Sequence, residues 1–282
     1  MSSISIDHSI QRVPTPEEEP DVYVRRSLAE RIPSDRIQAV PTQADEPDEY
    51  VRGRLAYRIP ADRILSMPSP AEELDTGVRR YFADRIQARH ILAVPTEAQE
   101  PDEDVRWRLA RRIPAEHILA VPTEAQEPDE GVRRRLAERI PVHRILAVPT
   151  HTEEPNEGVR WTIACRIPAN RIRLRRQADE PNERIRQRLA QRIPANRILA
   201  VPTEAQEPDE GVRRQMARRI PAENIWHVPT PTEEPDTEVR RQMAERIQAT
   251  RILAVPTEAQ EPDEDVRWRL ACRIQVVGRR RK

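Results

Sequence analysis

The sequence predicts an all-α solenoid of ten units of about 27 residues, each holding one longer helix and one short α- or 3-10 helix. Three observations carry this. The stretch VPTEAQEPDE stands verbatim at 94–103, 121–130, 201–210 and 255–264, and looser copies fill the same grid. Apolar residues inside each copy recur at helical spacing. Proline and aspartate punctuate every copy at the places where helices stop and start.

Aligned on Val-Pro-Thr, the copies start at Val13, Val40, Met67, Val94, Val121, Val148, Leu174, Val201, Val228 and Val255. Each step is 27 residues except one of 26, where the copy from Val148 has lost a residue near Ile172. Its successor puts Leu174, Arg175 and Arg176 in place of Val-Pro-Thr, so poorer packing is expected over 168–178. The organisation expected is a half-unit or cap at 1–12, one solenoid over 13–274 and a basic tail at 275–282. We number each unit by register from its first residue.

Several registers never vary: Glu at 7, Arg at 13, Ala at 17, Arg at 19 and Ile at 20. Such recurrence inside one chain reports shared geometry or recent duplication. In EPDEDVRWRLARRIP (100–114), Asp102 is placed to cap a helix, Glu103 and Asp104 complement the dipole of its first turn, and Pro114 stops it. At about 100° per residue, Val105, Leu109 and Ile113 fall on one stripe, while Trp107, Arg108 and Arg111 point away. The second segment, PAEHILAV (114–121), opens on a proline suited to a first helical position and carries Ile118 and Leu119. Its rival is a buried strand at HILAV, which would give an α/β horseshoe; a short apolar run does not settle this by periodicity. One unit alone buries too little to offset its ordering entropy, so neighbours must stack. The polar VPTEAQEPDE stretch is then the turn between units.

Composition narrows the function. The formal charge is zero, with 34% charged residues, so no global field draws in nucleic acid or membrane. Lys282 is the only lysine; the remaining basic residues are arginines, suited to bidentate pairing. The start, MSSISIDHSIQ, resembles no signal peptide and no apolar run reaches the length of a membrane span, which points to a soluble, cytoplasmic protein. Cys165 and Cys272 share a register four units apart and are expected to be free thiols. A disordered Pro-rich array without specific function is the bland alternative, opposed by the helical period kept through ten copies.

EPDEDVR, EPDEGVR and EPNEGVR resemble the turn and helix start of HEAT-like repeats of the phycobilisome-lyase type, and stretches such as RLARRIPAEHIL are similar to leucine-rich repeat variant proteins. The resemblance covers about 13–274 and implies a right-handed α-solenoid. It also implies that an acid before the helix pairs with an arginine inside it: Glu100 with Arg106, and Glu127 with Arg133. The chain departs from the pattern in unit length, in its shortened second helix, in Leu74 where proline is expected, and in having no N-terminal cysteine cluster.

No nucleotide, metal, redox or nucleophile motif is found, so no cofactor is implied and an enzyme is not expected. His90 and His117 share register 24 and His143 lies one register away, but units a helix-packing distance of about 8–10 Å apart hold such rings outside one coordination shell. The invariant arginines of registers 13 and 19 are read as structural, reaching the acids of registers 7 or 9 in the same or the next unit. The candidate partner-binding face is formed by arginines at varying registers (Arg108, Arg134, Arg135, Arg214 and Arg241) with Trp107, Trp161 and Trp268 at register 14 and Tyr23 and Tyr50 at register 11. Aromatics beside arginine are the make-up of a binding hot spot, though the tryptophans could equally cover arginine stems. The function expected is a non-enzymatic scaffold that binds a protein or peptide on its longer helices. Nucleic-acid binding through the Arg/Trp face is the alternative, weakened by acids along the same body.

Overall fold

The computed structural model describes residues 10–173 and 179–279, with side chains up to 274. Parts of three expected features therefore lie outside the described residues: positions 1–9 of the N-terminal half-unit, 174–178 of the irregular junction and 280–282 of the tail. The chain forms two compact units, 1–144 and 145–282. The first carries α1 (Val22–Arg31), α2 (Glu49–Arg58), α3 (Thr76–Arg85), α4 (Glu103–Arg112) and α5 (Glu130–Arg139). The second carries α6 (Glu157–Arg166), α7 (Glu183–Arg192), α8 (Glu210–Ala217), α9 (Thr237–Arg246) and α10 (Glu264–Arg279). Within each unit consecutive helices pack on one another, and no strand occurs among the described residues, so the all-α reading holds and the α/β horseshoe does not.

Each helix begins as its sequence dictates. In α4 the Asp102 carboxylate accepts from the Val105 N–H at 2.9 Å, and the same cap recurs from Asp48 in α2 to Asp263 in α10, with Asn156 and Asn182 serving α6 and α7. The stripe of Val105, Leu109 and Ile113 is buried. In all but the last helix the closing isoleucine stands at or just past the helix end, and the chain turns into the second layer.

That second layer is shorter than expected. Pro114 is the cap (φ −57°, ψ 138°) and not the first helical residue; the 3-10 turn spans only Ala115–His117, and Ile118 is already extended (φ −82°, ψ 99°). The extended backbone sends neighbouring side chains to opposite sides. Ile118 is buried and Leu119 exposed, so only the first of the two apolar residues enters the core.

The core carries a buried polar ladder. Arg106 donates from Nε and Nη2 to the two carboxylate oxygens of Glu127 at 2.8 and 3.0 Å, while its Nη1 donates to the main-chain carbonyls of Glu100 and Pro101. The expected pairing of Glu100 with Arg106 is thereby corrected. The arginine takes the carbonyl of its own repeat's glutamate and the carboxylate of the next one, because the helix start places Nη1 under its own turn and leaves the remaining edge facing the neighbour. Arg133 likewise takes the carbonyls of Glu127 and Pro128, and the Glu127 carboxylate belongs to Arg106. Equivalent bridges run Arg25–Glu46, Arg52–Glu73 and Arg79–Glu100 in the first unit, and Arg160–Glu180, Arg186–Glu207, Arg213–Glu234 and Arg240–Glu261 in the second, all at 2.6–3.0 Å. Arg160 and Glu180 are 20 residues apart where the other pairs stand 21 apart, so the missing residue leaves the ladder intact.

Breaking one rung should be expensive. Arg106→Ala is expected to lower stability by about 3–5 kcal/mol, since it strands a buried carboxylate. Arg106→Met with Glu127→Leu should recover part of that. Urea unfolding, with amide exchange over 103–139, checks both.

Candidate functional site

The outward side of the long helices carries three further sets of contacts, and they decide which predicted site residues are available. Register 14 comes first. In four of the five repeats where it is arginine, the guanidinium reaches the next repeat's helix cap: Arg26 to Asp48, Arg80 to Asp102, Arg214 to Asp236 and Arg241 to Asp263, each with a contact of 2.6–2.8 Å. Gln187 makes the same reach to Asp209. Arg214 and Arg241 are thus half-buried ion-pair partners and not members of a bare face, a correction that follows from the cap carboxylate keeping a free oxygen.

Register 15 pairs backwards with the acid at register 18 of the preceding repeat, as Arg54 does with Glu30, Arg108 with Asp84 and Arg269 with Glu245. Arg135 finds Arg111 at that place and turns to Glu138 of its own helix; Arg134 also lies toward Glu138, at 3.7 Å. Among the five predicted surface arginines only Arg134 is exposed.

Register 19 is corrected too. Its arginines do not seek carboxylates: Arg85, Arg112 and Arg139 donate to the carbonyls of Ile59, Ile86 and Ile113, and Arg219, Arg246 and Arg273 to those of Ile193, Ile220 and Ile247. They cap the orphan carbonyls at the preceding helix's end, where cations are favoured. Burial, with Arg111 and Arg85 nearby, pulls the Arg112 pKa down against the opposing pull of Asp84. Register 24 repeats the device one layer away, with Arg63, His117, Arg144, Asn224 and Arg251 on the carbonyls of Ile37, Ile91, Ile118, Ile198 and Ile225. His117 is accordingly a structural donor. Among the described residues no three His, Cys, Asp or Glu side chains gather as metal ligands, and Cys165 and Cys272 are free.

The aromatics divide. Trp107 is half-buried, its ring flanked by the guanidinium groups of Arg111 and Arg135 and lying against Gly131. Tyr50 sits between Arg26 and Arg54 and hydrogen-bonds Glu30. Trp161, Trp268 and Tyr23 are 40%, 63% and 74% exposed. The predicted face is therefore partly consumed by packing between repeats.

A different surface is left open, and it was not predicted. Register 26, just after the buried isoleucine of the second layer, holds Leu65, Leu92 and Leu119 in the first unit and Leu146, Leu199, Trp226 and Leu253 in the second, each at least 67% exposed. Grooves open beside this row. One of about 410 Å³ is lined by Met67, Leu92, Val94 and Leu109, and one of about 290 Å³ by Leu199, Val201, Trp226 and Met243. The Trp226 ring lies under Arg251 at 3.9 Å. Period-two alternation at ILAV was the signal that could have revealed the row.

These features define a class: an all-α tandem-repeat protein whose two-layer repeats are joined by buried arginine–glutamate rungs. No family model matches the chain, and no curated protein does. Among solved structures it is similar to one described as a leucine-rich repeat variant with a novel repetitive protein structural motif, at 23% identity and a TM-score of 0.46, over 78% of this chain and 86% of that one. No residue role is carried over at that level of likeness. No described helix is long and apolar enough to cross a membrane.

Two outcomes test these assignments. The Arg241 guanidinium, aided by the Val266 N–H, holds the Asp263 carboxyl below the ordinary 3.8, against the opposing pull of burial. A depressed carboxylate stabilises the fold above its unfolded value, and the contribution is lost as pH falls through the folded one. The stability gap between the native chain and Arg241→Gln should therefore stay constant above pH 3.8 and narrow below it in thermal melts across pH. Separately, Trp107→Ala should lower stability by about 1–2 kcal/mol, because a packed half-buried ring is lost, whereas Trp268→Ala should shift it by less than about 0.5 kcal/mol in urea titration.

Proposed function

We propose that the protein is a non-enzymatic scaffold that binds a protein or peptide, and that it grips its partner along the leucine row of the second layer. The observation that supports this is the row itself. Leu92 and Leu119 are 73% and 74% exposed at the same place in successive repeats, whereas the valine and isoleucine of registers 12 and 20 are buried in the same repeats. Covering one such side chain is worth about 1.5–3 kcal/mol, so two or three neighbours together contribute about 3–9 kcal/mol toward the cost of association. On the longer helices the arginines already hold carboxylates, which leaves Trp161 and Trp268 as isolated apolar points. Acids at registers 4 to 6, such as Glu72 and Glu233 in the grooves, border the row and disfavour a nucleic-acid backbone there.

Selection of peptides from a displayed random library on the full-length protein provides the test. Recovered binders should carry spaced apolar residues, and their affinity should fall about a hundredfold with Leu65, Leu92 and Leu119 all changed to Ser, at unchanged helicity. Retention of binding in that variant, with loss on Trp161→Ala, would return the site to the helices. An affinity for single-stranded DNA that falls steeply with salt would support the nucleic-acid reading instead.

A further inference from the structure

Each junction between repeats has a forward face and a receiving face, and among the described residues the first repeat has no neighbour on its receiving face and the last none on its forward face. The receiving face presents the glutamate of register 7, the valine of register 12 and the leucine of register 16. In the first repeat these are Glu19, Val24 and Leu28. Val24 is 39% exposed, whereas Val51 and Val105 are fully buried; Glu19 and Leu28 are half-buried, whereas Glu46 and Leu55 are buried. The Glu19 carboxylate accepts the Asp21 N–H, as interior glutamates accept their own cap, but no guanidinium pairs with it among the described residues.

The forward face presents the arginine of register 13 and the alanine of register 17. In the last repeat, Arg267 donates to the Glu261 carbonyl, as its interior equivalents do, but has no carboxylate partner among the described residues. Ala271 is half-buried where Ala29 to Ala244 are buried, and Trp268 beside it is 63% exposed. Residues 10–12 precede the first repeat, with Ile10 already buried, and α10 runs on to Arg279, past the register at which the other helices stop.

We propose that the protein associates head to tail with a second copy, Arg267 of one molecule bridging Glu19 of the next. Trp268 then lies beside Tyr23, the place where Trp107 meets Gly131, and Ala271 covers Val24 and Leu28. The occupant follows from complementarity: each open face carries the half of the interior junction that the other lacks, in charge as well as in apolar shape. Natural arrays close such faces with polar capping repeats, and here the exposed residues remain of interior type. The contact joins unlike surfaces, so it propagates into chains or rings and does not stop at a two-fold dimer.

Sedimentation velocity of the full-length protein across a concentration series tests this. The native chain should grow in mass with concentration beyond a dimer. Glu19→Arg and Arg267→Glu should each reduce the association constant about a hundredfold or more, the loss expected from breaking a desolvated pair. An equimolar mixture of the two variants should associate again, because the arginine introduced at position 19 then meets the glutamate introduced at position 267, and the native pair forms at alternate junctions. Val24→Glu supplies a second disruption that leaves the ion pair in place, and circular dichroism verifies folding of every variant. A native chain that stays monomeric throughout overturns the proposal, as do single variants that associate like the native chain or a mixture that remains monomeric. None of these readouts involves the leucine row, so the result stands apart from the peptide-binding test.

Discussion

The arginine of register 13 is the residue on which the rest of the structure depends. Its guanidinium has two working edges. One, as in Arg106, ties the carbonyls of Glu100 and Pro101 and so closes the turn before its own helix; the other holds both oxygens of Glu127 in the following repeat. The turn inside a repeat and the joint between repeats are therefore one network. Glu127 is further tied by the Asp129 N–H, which orients the next helix cap. A lysine could not span this arrangement, since a point charge has no second planar edge. Leu74 fits the same logic: the Leu74 carbonyl still accepts from Arg79, so the expected proline is dispensable for the bond it flanks.

Buried ion pairs are weak sources of net stability but strict about alignment, because a misaligned partner leaves two desolvated charges. That strictness explains how the array tolerates the shortened repeat. Ile172 remains in the core and Arg160 still finds Glu180, so the lost residue falls between two fixed points. The ladder sets register, while burial of the valine, leucine, alanine and isoleucine positions supplies the driving force.

Much of this was legible in the sequence. Asp102, Val105, Leu109 and Ile113 announced a capped helix with one buried stripe, and the invariance of Arg106 announced a structural role. The partner was not legible, since spacing along one helix does not say whether a guanidinium turns back to Glu100 or forward to Glu127. Nor was the fate of Arg214 and Arg241, because their carboxylates sit 22 residues downstream and belong to a cap that already seemed satisfied. Reading PAEHILAV by helical period placed Ile118 and Leu119 together; the chain leaves the 3-10 turn after His117, and alternation separates them. The leucine row is the residue of that difference.

Identical rungs raise a problem that they cannot solve themselves. If every repeat offers the same arginine and accepts with the same glutamate, any repeat fits after any other, and a slip by one unit costs only the contacts at the borders. The outward registers break this degeneracy. Arg54, Arg108 and Arg269 each face an acid in the preceding repeat, while Arg135 faces Arg111 and bonds within its own helix. Arg80 reaches a cap aspartate, Trp107 lies against Gly131, and the Tyr81 ring lies against Gly53. Dropping one repeat would set Arg108 against Tyr57 and Arg269 against Arg218, in place of Asp84 and Glu245. Each mismatch is small, as exposed pairs are worth under about 1 kcal/mol, but several together amount to about two to four times the thermal energy. The uniform interior makes the repeats stack, and the varied exterior makes them stack in one order.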